Sequence, residues 1–358
     1  MSWNAVDALS DARAATQSLL LPFDPRTWAK LALVVFFVGT GTNASLTTNG
    51  SGTSGANVGP TLDFDPGTFS PGGAVPTFDT ASLFTLVVGL LAVLLALFLL
   101  HSFLASVFEF VFVDNVTSPR VRLRTPFRTH LGDGTRLFAF KLILGAAVLS
   151  LFAVPVAAIV FGGIALGPGA LLAVVPVLLV GVLAAFVVAL VLGLTRDFVV
   201  PAMLVEDCGV LAGWRRVLPS MRAEWKEFAL YVVIRIALNV LSGALLAVAL
   251  ALVGLVVAVP FVLLGAVVWA AFSPFAAALT TGTVLVGALV ALYVVCLAAA
   301  GLFVTVPVAA YFRYYSLYFL ARVDSDLALV ARPDAPERPA ERGPESGAAD
   351  ADSDAAGV

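Results

Sequence analysis

From Ile236 to Phe312, 77 consecutive residues pass without an Asp, Glu, Lys, Arg or His. A helix that crosses a bilayer needs about 20 mostly apolar residues, so this block alone is long enough for several crossings. The rest of the chain agrees with it. The sequence is 60% hydrophobic and 12% charged, against about 45–50% and about 25% in a soluble domain. Too few charges remain to cover a globule of 358 residues, which excludes a soluble enzyme. Only Cys208 and Cys296 are present, so a disulfide scaffold is excluded too. The fold class is all-α, a polytopic transmembrane helical bundle.

Six crossings are expected, at about residues 28–44, 82–113, 137–164, 168–195, 228–259 and 284–320. The second is long: its 32 residues would make a helix of about 48 Å against a hydrocarbon core of about 30 Å. In the last apolar block, Lys226 precedes and Arg313 follows. Two basic flanks on the same side require an even number of crossings. Four would leave almost nothing for connections, so two are expected. Residues 260–283 between them read as a half-inserted segment broken at Pro260, Pro274 and the Thr280–Thr283 run, packed against neighbours because bare backbone cannot face lipid.

Basic residues orient the chain. Arg120, Arg122, Arg124, Arg128, Arg136 and Lys141 fall between crossings two and three, and Arg196, Arg215, Arg216, Arg222 and Lys226 between four and five. Residues 45–81 carry none. The positive-inside rule then puts both termini in the cytoplasm of a cell-membrane protein. Residues 1–27 lack the apolar core of a cleavable signal. They read as an interfacial amphipathic segment with Trp3, Val6, Leu9, Leu19 and Leu20 on its apolar side, followed by Asp24 and Pro25 as N-cap and first position of a helix. Residues 324–358 hold nine acidic side chains and three arginines and read as an acidic disordered cytoplasmic tail.

The exits from crossings two, four and six echo one another: FEFVFVDNV, DFVVPAMLVED and AYFRYYSLYFLARVDSD. Each is an aromatic, apolar run closing on acidic residues. The first two lead into a basic stretch and a new aromatic-led crossing, GTRLFAFKLIL and EWKEFALYVVI. This is either a true internal repeat or the likeness that any set of membrane hairpins shows.

The phrases PFDPRTWAKLALVVFFVG, RTPFRTHLGDGTRLFAFKL and DFVVPAMLVEDCGVLAGWRRVLPSMRAEWKEFALY resemble a family of haloarchaeal multi-pass membrane proteins of unknown function, over roughly residues 1–330. Arginine outnumbering lysine 17 to 3 suits a salt-adapted source. More distantly, the Val-Pro exit followed by an acidic turn, GVLAGW and a basic helix is similar to the membrane domain associated with glycerophosphoryl diester phosphodiesterases. The resemblance implies a membrane domain and no catalysis, because the chain has no room for the metal-binding barrel of such an enzyme.

Signatures of chemistry are missing from the sequence. It has two histidines, His101 and His130, no HExxH, no CxxC, no GxxxxGK[ST] and no GxSxG, and so no cofactor or catalytic residue is expected. Polar residues within apolar spans form a candidate intramembrane site: His101, Glu109, Arg235 and Asn239, with Glu109 a possible partner for Arg235. Arg235 could equally snorkel to the interface, and His101 could simply bond a neighbouring helix. A second candidate is the stretch after crossing four. Trp214, Leu218, Met221 and Trp225 recur at helical spacing, flanked by Arg215, Arg216, Arg222 and Lys226. That pattern suits a helix lying on an anionic leaflet with its indoles at headgroup depth. Asn43 and Asn49 open N-x-[ST] sequons in the outer loop and are candidate glycosylation sites; Asn115 opens another on the cytoplasmic side. The expected function is a non-enzymatic membrane protein that contacts lipid headgroups or other membrane proteins through basic cytoplasmic elbows, with no nucleic acid partner. The alternative is a small-solute transporter with a polar path near His101, Arg235 and Asn239.

Overall fold

A computed structural model describes residues 4–21, 23–41, 80–118, 121–162, 168–272 and 279–331. The outer loop with Asn43 and Asn49, most of the acidic tail, Trp3 and Pro274 lie outside the described residues. Within them the chain is helical, with no strand. The helices are α1 (Asn4–Leu20), α2 (Pro25–Gly41), α3 (Thr80–Thr117), α4 (Arg124–Thr129), α5 (Leu131–Gly162), α6 (Pro168–Leu194), α7 (Val200–Glu206), α8 (Val210–Ala223), α9 (Trp225–Phe272) and α10 (Leu279–Val323). A π-helical turn, Thr195–Val199, joins α6 to α7. Among the described residues, five helices are long and apolar enough to cross a membrane. The helix α2, at 17 residues, is shorter than those five.

The expected break at Pro260 does not occur. The helix α9 runs through it to Phe272, 48 residues in all, and Thr280–Thr283 lie within α10. The physical reason is that an interior proline removes one hydrogen bond, whereas a half-inserted irregular segment would leave many backbone groups unpaired in hydrocarbon. Helix α9 is therefore about 72 Å long at 1.5 Å per residue.

The elements repeat three times as a short helix, a helix away from it and a helix back: α1–α2–α3, α4–α5–α6/α7 and α8–α9–α10. Helices α2 and α3, α5 and α6, and α9 and α10 pair as hairpins. Each short helix packs on the returning helix of the preceding unit: α4 on α3, α8 on the π turn and α7, and α1 on α10. The last contact closes the cycle, joining the first unit to the third. The returning helix of one unit also meets the outgoing helix of the next, as α3 meets α5 and α10 meets α2. The echo among the three exits is thus a structural repeat.

Small residues make these contacts close. A Cβ on Gly134 would lie 2.8 Å from Val107 Cα, and one on Gly213 would lie 2.9 Å from Val199 Cγ1. In α1 the same role falls to Ala5, Ala8 and Ala12, all fully buried. The face of α1 that packs is therefore its alanine face, while Val6 is exposed. Arg322 ties the join by donating to Asp11 at 2.6 Å. As the sequence predicts, Asp24 caps α2, accepting from the backbone N–H groups of Arg26 and Thr27.

The buried core lies where the three exits meet, an end called here the base. Phe110, Val111 and Phe112 of α3, Phe198, Val199 and Val200 of the second exit, and Tyr315, Leu317 and Phe319 of α10 are at most 1% exposed. Tyr231 stacks on Tyr315 and Phe319 at 5.0 and 4.6 Å. Aromatic pairs of this kind add about 0.5–1.5 kcal/mol each beyond their burial. Away from the base the helices present apolar side chains outward, as in Phe84, Leu91 and Phe98 of α3 and Leu179 and Leu183 of α6. Such surfaces suit lipid, and the chain is a polytopic helical membrane protein.

Candidate functional site

Each exit places a charged residue immediately before its buried aromatic run: Glu109 before Phe110, Asp197 before Phe198 and Arg313 before Tyr314. The fold brings all three together. Glu109 accepts from Arg313 Nη2 at 3.1 Å and is paired with Arg196 Nε at 3.2 Å and Lys141 Nζ at 3.9 Å. Asp197 accepts from Tyr231 Oη at 2.9 Å and is paired with Arg235 Nε at 3.4 Å. Glu109 and Arg313 are 1% and 3% exposed. Isolated charges buried this deeply would be prohibitive, and the pairing is what makes the burial possible.

The π turn explains one of these bonds. Val200 N–H reaches back five residues to Thr195 C=O. The next residue, Pro201, has no N–H to offer the Arg196 carbonyl. That freed carbonyl instead accepts from Arg313 Nη1 at 2.7 Å. A proline in the second exit is thereby matched by an arginine in the third.

Four cations, Lys141, Arg196, Arg235 and Arg313, stand against two carboxylates in this cluster among the described residues. Arg235 Nη1, Arg313 Nε and Tyr315 Oη are buried there without a hydrogen-bond partner. Arg235 also lies 4.2 Å over the Phe312 ring, a cation–π contact that compensates part of its desolvation.

The intramembrane site expected from the sequence is not assembled as a unit. Glu109 is a hub, but its partners are Arg196, Lys141 and Arg313; Arg235 pairs with Asp197 instead, because the second exit lies between α3 and α9. His101 packs against Phe36 and Phe37, with ring centroids 5.8 and 5.7 Å away. It sits eight residues before Glu109 on α3, about 12 Å along the axis. Asn239 lies on α9, one turn past Arg235, and its carbonyl accepts from Ser242. Arg196, Arg313, Lys141, Asp197 and Tyr231 carry the cluster and were not singled out by sequence reasoning as its members. The available signal was the shared register of a charge before an aromatic in each exit. Asn115 is also buried: its side chain donates to Val111 C=O and accepts from Arg122 N–H at 2.7 Å.

Around the cluster, the short helix α8 shows two faces. Val210, Gly213 and Val217 are buried, and Trp214 Nε1 donates to Thr195 Oγ1 at 3.1 Å. Trp214 therefore points into the protein and not toward headgroups, because its indole N–H finds a partner in the π turn. Arg216 is likewise engaged, with Glu206 and Asp324 each at 2.8 Å. Its charge-assisted bonds hold its guanidinium above the ordinary value. Burial works against ionised Asp324, but the hydrogen bonds from Arg216 and Ser220 outweigh it and hold that carboxyl below the usual range. The outward face is Leu211, Arg215, Leu218 and Arg222, at spacings of four, three and four, continued by exposed Trp225 and Lys226. Met221 is half-buried against the core.

Cavities at the base include two lined by described residues. One, about 670 Å³, lies among the end of α1, the start of α2, Ser118, Val121, Arg122 and Tyr314. The other, about 320 Å³, is an apolar slot lined by Phe37, Leu104, Phe108, Leu123 and Phe127, with Arg124 and Arg128 beside it. Neither is lined by the buried charge cluster. Among the described residues, no three of His, Cys, Asp and Glu are grouped to hold a metal ion.

No curated protein and no solved structure matches this chain. Residues 3–330 match the family of unknown function DUF7544; a three-unit helical membrane protein with a charge-pinned base, the chain belongs to that family.

Proposed function

We propose that this is a non-enzymatic protein of the cell membrane whose base faces the cytoplasm and binds the anionic headgroup layer through its short helices. The observation that carries this reading is the outward face of α8. Leu211, Arg215, Leu218, Arg222, Trp225 and Lys226 are exposed together, leucine and tryptophan alternating with cations. Such a face seats apolar groups at the acyl boundary while its charges meet phosphates. The buried charge cluster acts as the fixed frame that holds the three units in register beneath it. A salt-adapted archaeal source, and kinship with the phosphodiesterase-associated membrane domain, belong to the same proposal on the strength of the arginine bias and the Val-Pro exit phrase. Membrane lipids are the primary partner, other membrane proteins are a second, and no cofactor or nucleic acid is involved.

A solute path through His101, Arg235 and Asn239 has less support. His101 is packed against two phenylalanines, and the Arg235 head is committed to Asp197 and Phe312.

The test is thermal unfolding of the full-length protein in mixed micelles. Phosphatidylglycerol should raise Tm relative to phosphatidylcholine. A basic residue near an anionic surface contributes about 1 kcal/mol, so Arg215→Gln/Arg222→Gln/Lys226→Gln should lose most of that rise. An undiminished rise in this variant overturns the proposal.

A further inference from the structure

The larger cavity is the part of the base whose chemistry is most specific. It lies where α1 ends and α2 begins, and Lys30, Arg122, Ser118, Ser18, Thr27 and Tyr314 line it. Its volume of about 670 Å³ is within the range of small-ligand sites, about 300–1,000 Å³.

The donors and acceptors divide in a way that selects a ligand. Among the described residues Lys30 Nζ donates to Val121 C=O at 3.2 Å, and an ammonium has three protons to give. Arg122 also lines the cavity, and its backbone N–H is held by Asn115 at 2.7 Å, which fixes the base of that side chain at the cavity. Two cationic residues therefore line the space, and among the described residues no carboxylate does. Three of the four hydroxyls behave differently. Ser18 donates to Ala15 C=O, Thr27 to Asp24 and Tyr314 to Val116 C=O. Their protons are spent within the protein, and what they offer a ligand is lone pairs. A fitting occupant thus carries an anionic phosphate for Lys30 and Arg122, and hydroxyl groups that can donate to Ser18, Thr27 and Tyr314.

We infer that this cavity binds a phosphate bearing a polyol, of the glycerol-phosphate class, as a lipid headgroup or as a free solute. This deepens the proposed function and rests on its reading that the base faces an anionic leaflet. The neighbouring slot favours the lipid source. Val121 and Arg122 line the polar cavity, whereas Leu123 and Arg124 line the apolar one. One short segment thus separates a charged recess from an apolar groove, the two chemistries that a phospholipid joins.

The experiment is native mass spectrometry of the full-length protein released from micelles of equal phosphatidylglycerol and phosphatidylcholine, with a parallel thermal-shift titration of free glycerol phosphate. The wild type should retain one phosphatidylglycerol in preference to phosphatidylcholine. Lys30→Gln/Arg122→Gln should reduce that retention at least tenfold, and Lys30→Arg, which keeps the charge, should preserve it. Stabilisation by free glycerol phosphate, lost in the same double variant, supports the site with a solute as its occupant. Unchanged retention in the double variant, equal retention of phosphatidylcholine, or no response to either probe overturns the inference. The α8 variant separates this site from the surface reading. Loss of the phosphatidylglycerol-induced Tm rise there, with retention unaffected by Lys30→Gln/Arg122→Gln, overturns the cavity and leaves the surface reading in place. Selective loss in the double variant alone supports the cavity.

Discussion

The excess of cations over carboxylates in the buried cluster makes its members unequal, and the inequality can be measured. Glu109 faces Arg313, Arg196 and Lys141 at 3.1, 3.2 and 3.9 Å. With an effective dielectric constant of about 20, each arginine attracts it by about 5 kcal/mol and the lysine by about 4 kcal/mol before any desolvation is counted. Replacing Glu109 by Gln removes all three attractions at once and leaves the cations facing one another. Removing one partner of a buried pair costs about 3–5 kcal/mol, and Glu109→Gln should reach at least that range. Lys141→Met is the opposite case. It gives up the longest of the three contacts, but it also relieves repulsion from two arginines and the desolvation of an ammonium whose side chain is 11% exposed. The net change should be within about 1 kcal/mol, since replacing buried charge by a well-packed apolar group is often neutral or better. Half-buried Cys208 and Cys296 allow unfolding in detergent to be followed with a thiol-reactive dye. If Lys141→Met lowers Tm as far as Glu109→Gln, the charge excess has no energetic meaning and the reasoning fails.

Two further outcomes follow from local geometry. Gly134→Ala places a Cβ 2.8 Å from Val107 Cα, and overpacking of about 1–3 kcal/mol should exceed the helix-propensity gain of about 1 kcal/mol; Gly145→Ala, with nothing within 4 Å, should be neutral or stabilising in the same thermal assay. The Asp324 carboxyl is held below its ordinary value, so the stability it contributes through Arg216 and Ser220 is complete above the unfolded value of about 3.9 and is lost as pH falls through the lower folded value. The Tm difference between wild type and Asp324→Asn should therefore be constant from about pH 5 to 7 and vanish only under strongly acid conditions.

The helices and their pairing into hairpins can be read from hydropathy, because backbone in lipid must satisfy itself and long apolar runs become helices. The echo among exits is visible for the same reason that it is structural: each exit carries a charge followed by a buried aromatic run. The pairing of those charges is not visible. Glu109 and Arg313 are 204 residues apart, and nothing local distinguishes Arg313 from Arg235 as the partner of Glu109. That choice is made by the second exit, which inserts Asp197 beside Arg235. Pro260 misleads because a lone proline is tolerated inside a long helix, whereas the Val-Pro pair at Pro201 stands out in the sequence without showing that it leaves the Arg196 carbonyl for Arg313. Trp214 misleads because an amphipathic pattern fixes which residues share a face but not which face turns inward. The alanines of α1 are poor signals of burial by hydropathy, yet their small size is what lets α1 lie against α10.

The join between α1 and α10 also sets an order of assembly. Asp11 and Arg322, whose side chains meet at 2.6 Å, are 311 positions apart in the chain. A ribosome making this protein releases α1 long before α10 exists, so α1 must wait, undocked, for its binding surface. The two earlier units can insert and pair as they emerge, but the ring of three stays open until α10 arrives. Docking of α1 is thus the step that closes the ring of three, and until then the alanine face of α1 stays uncovered.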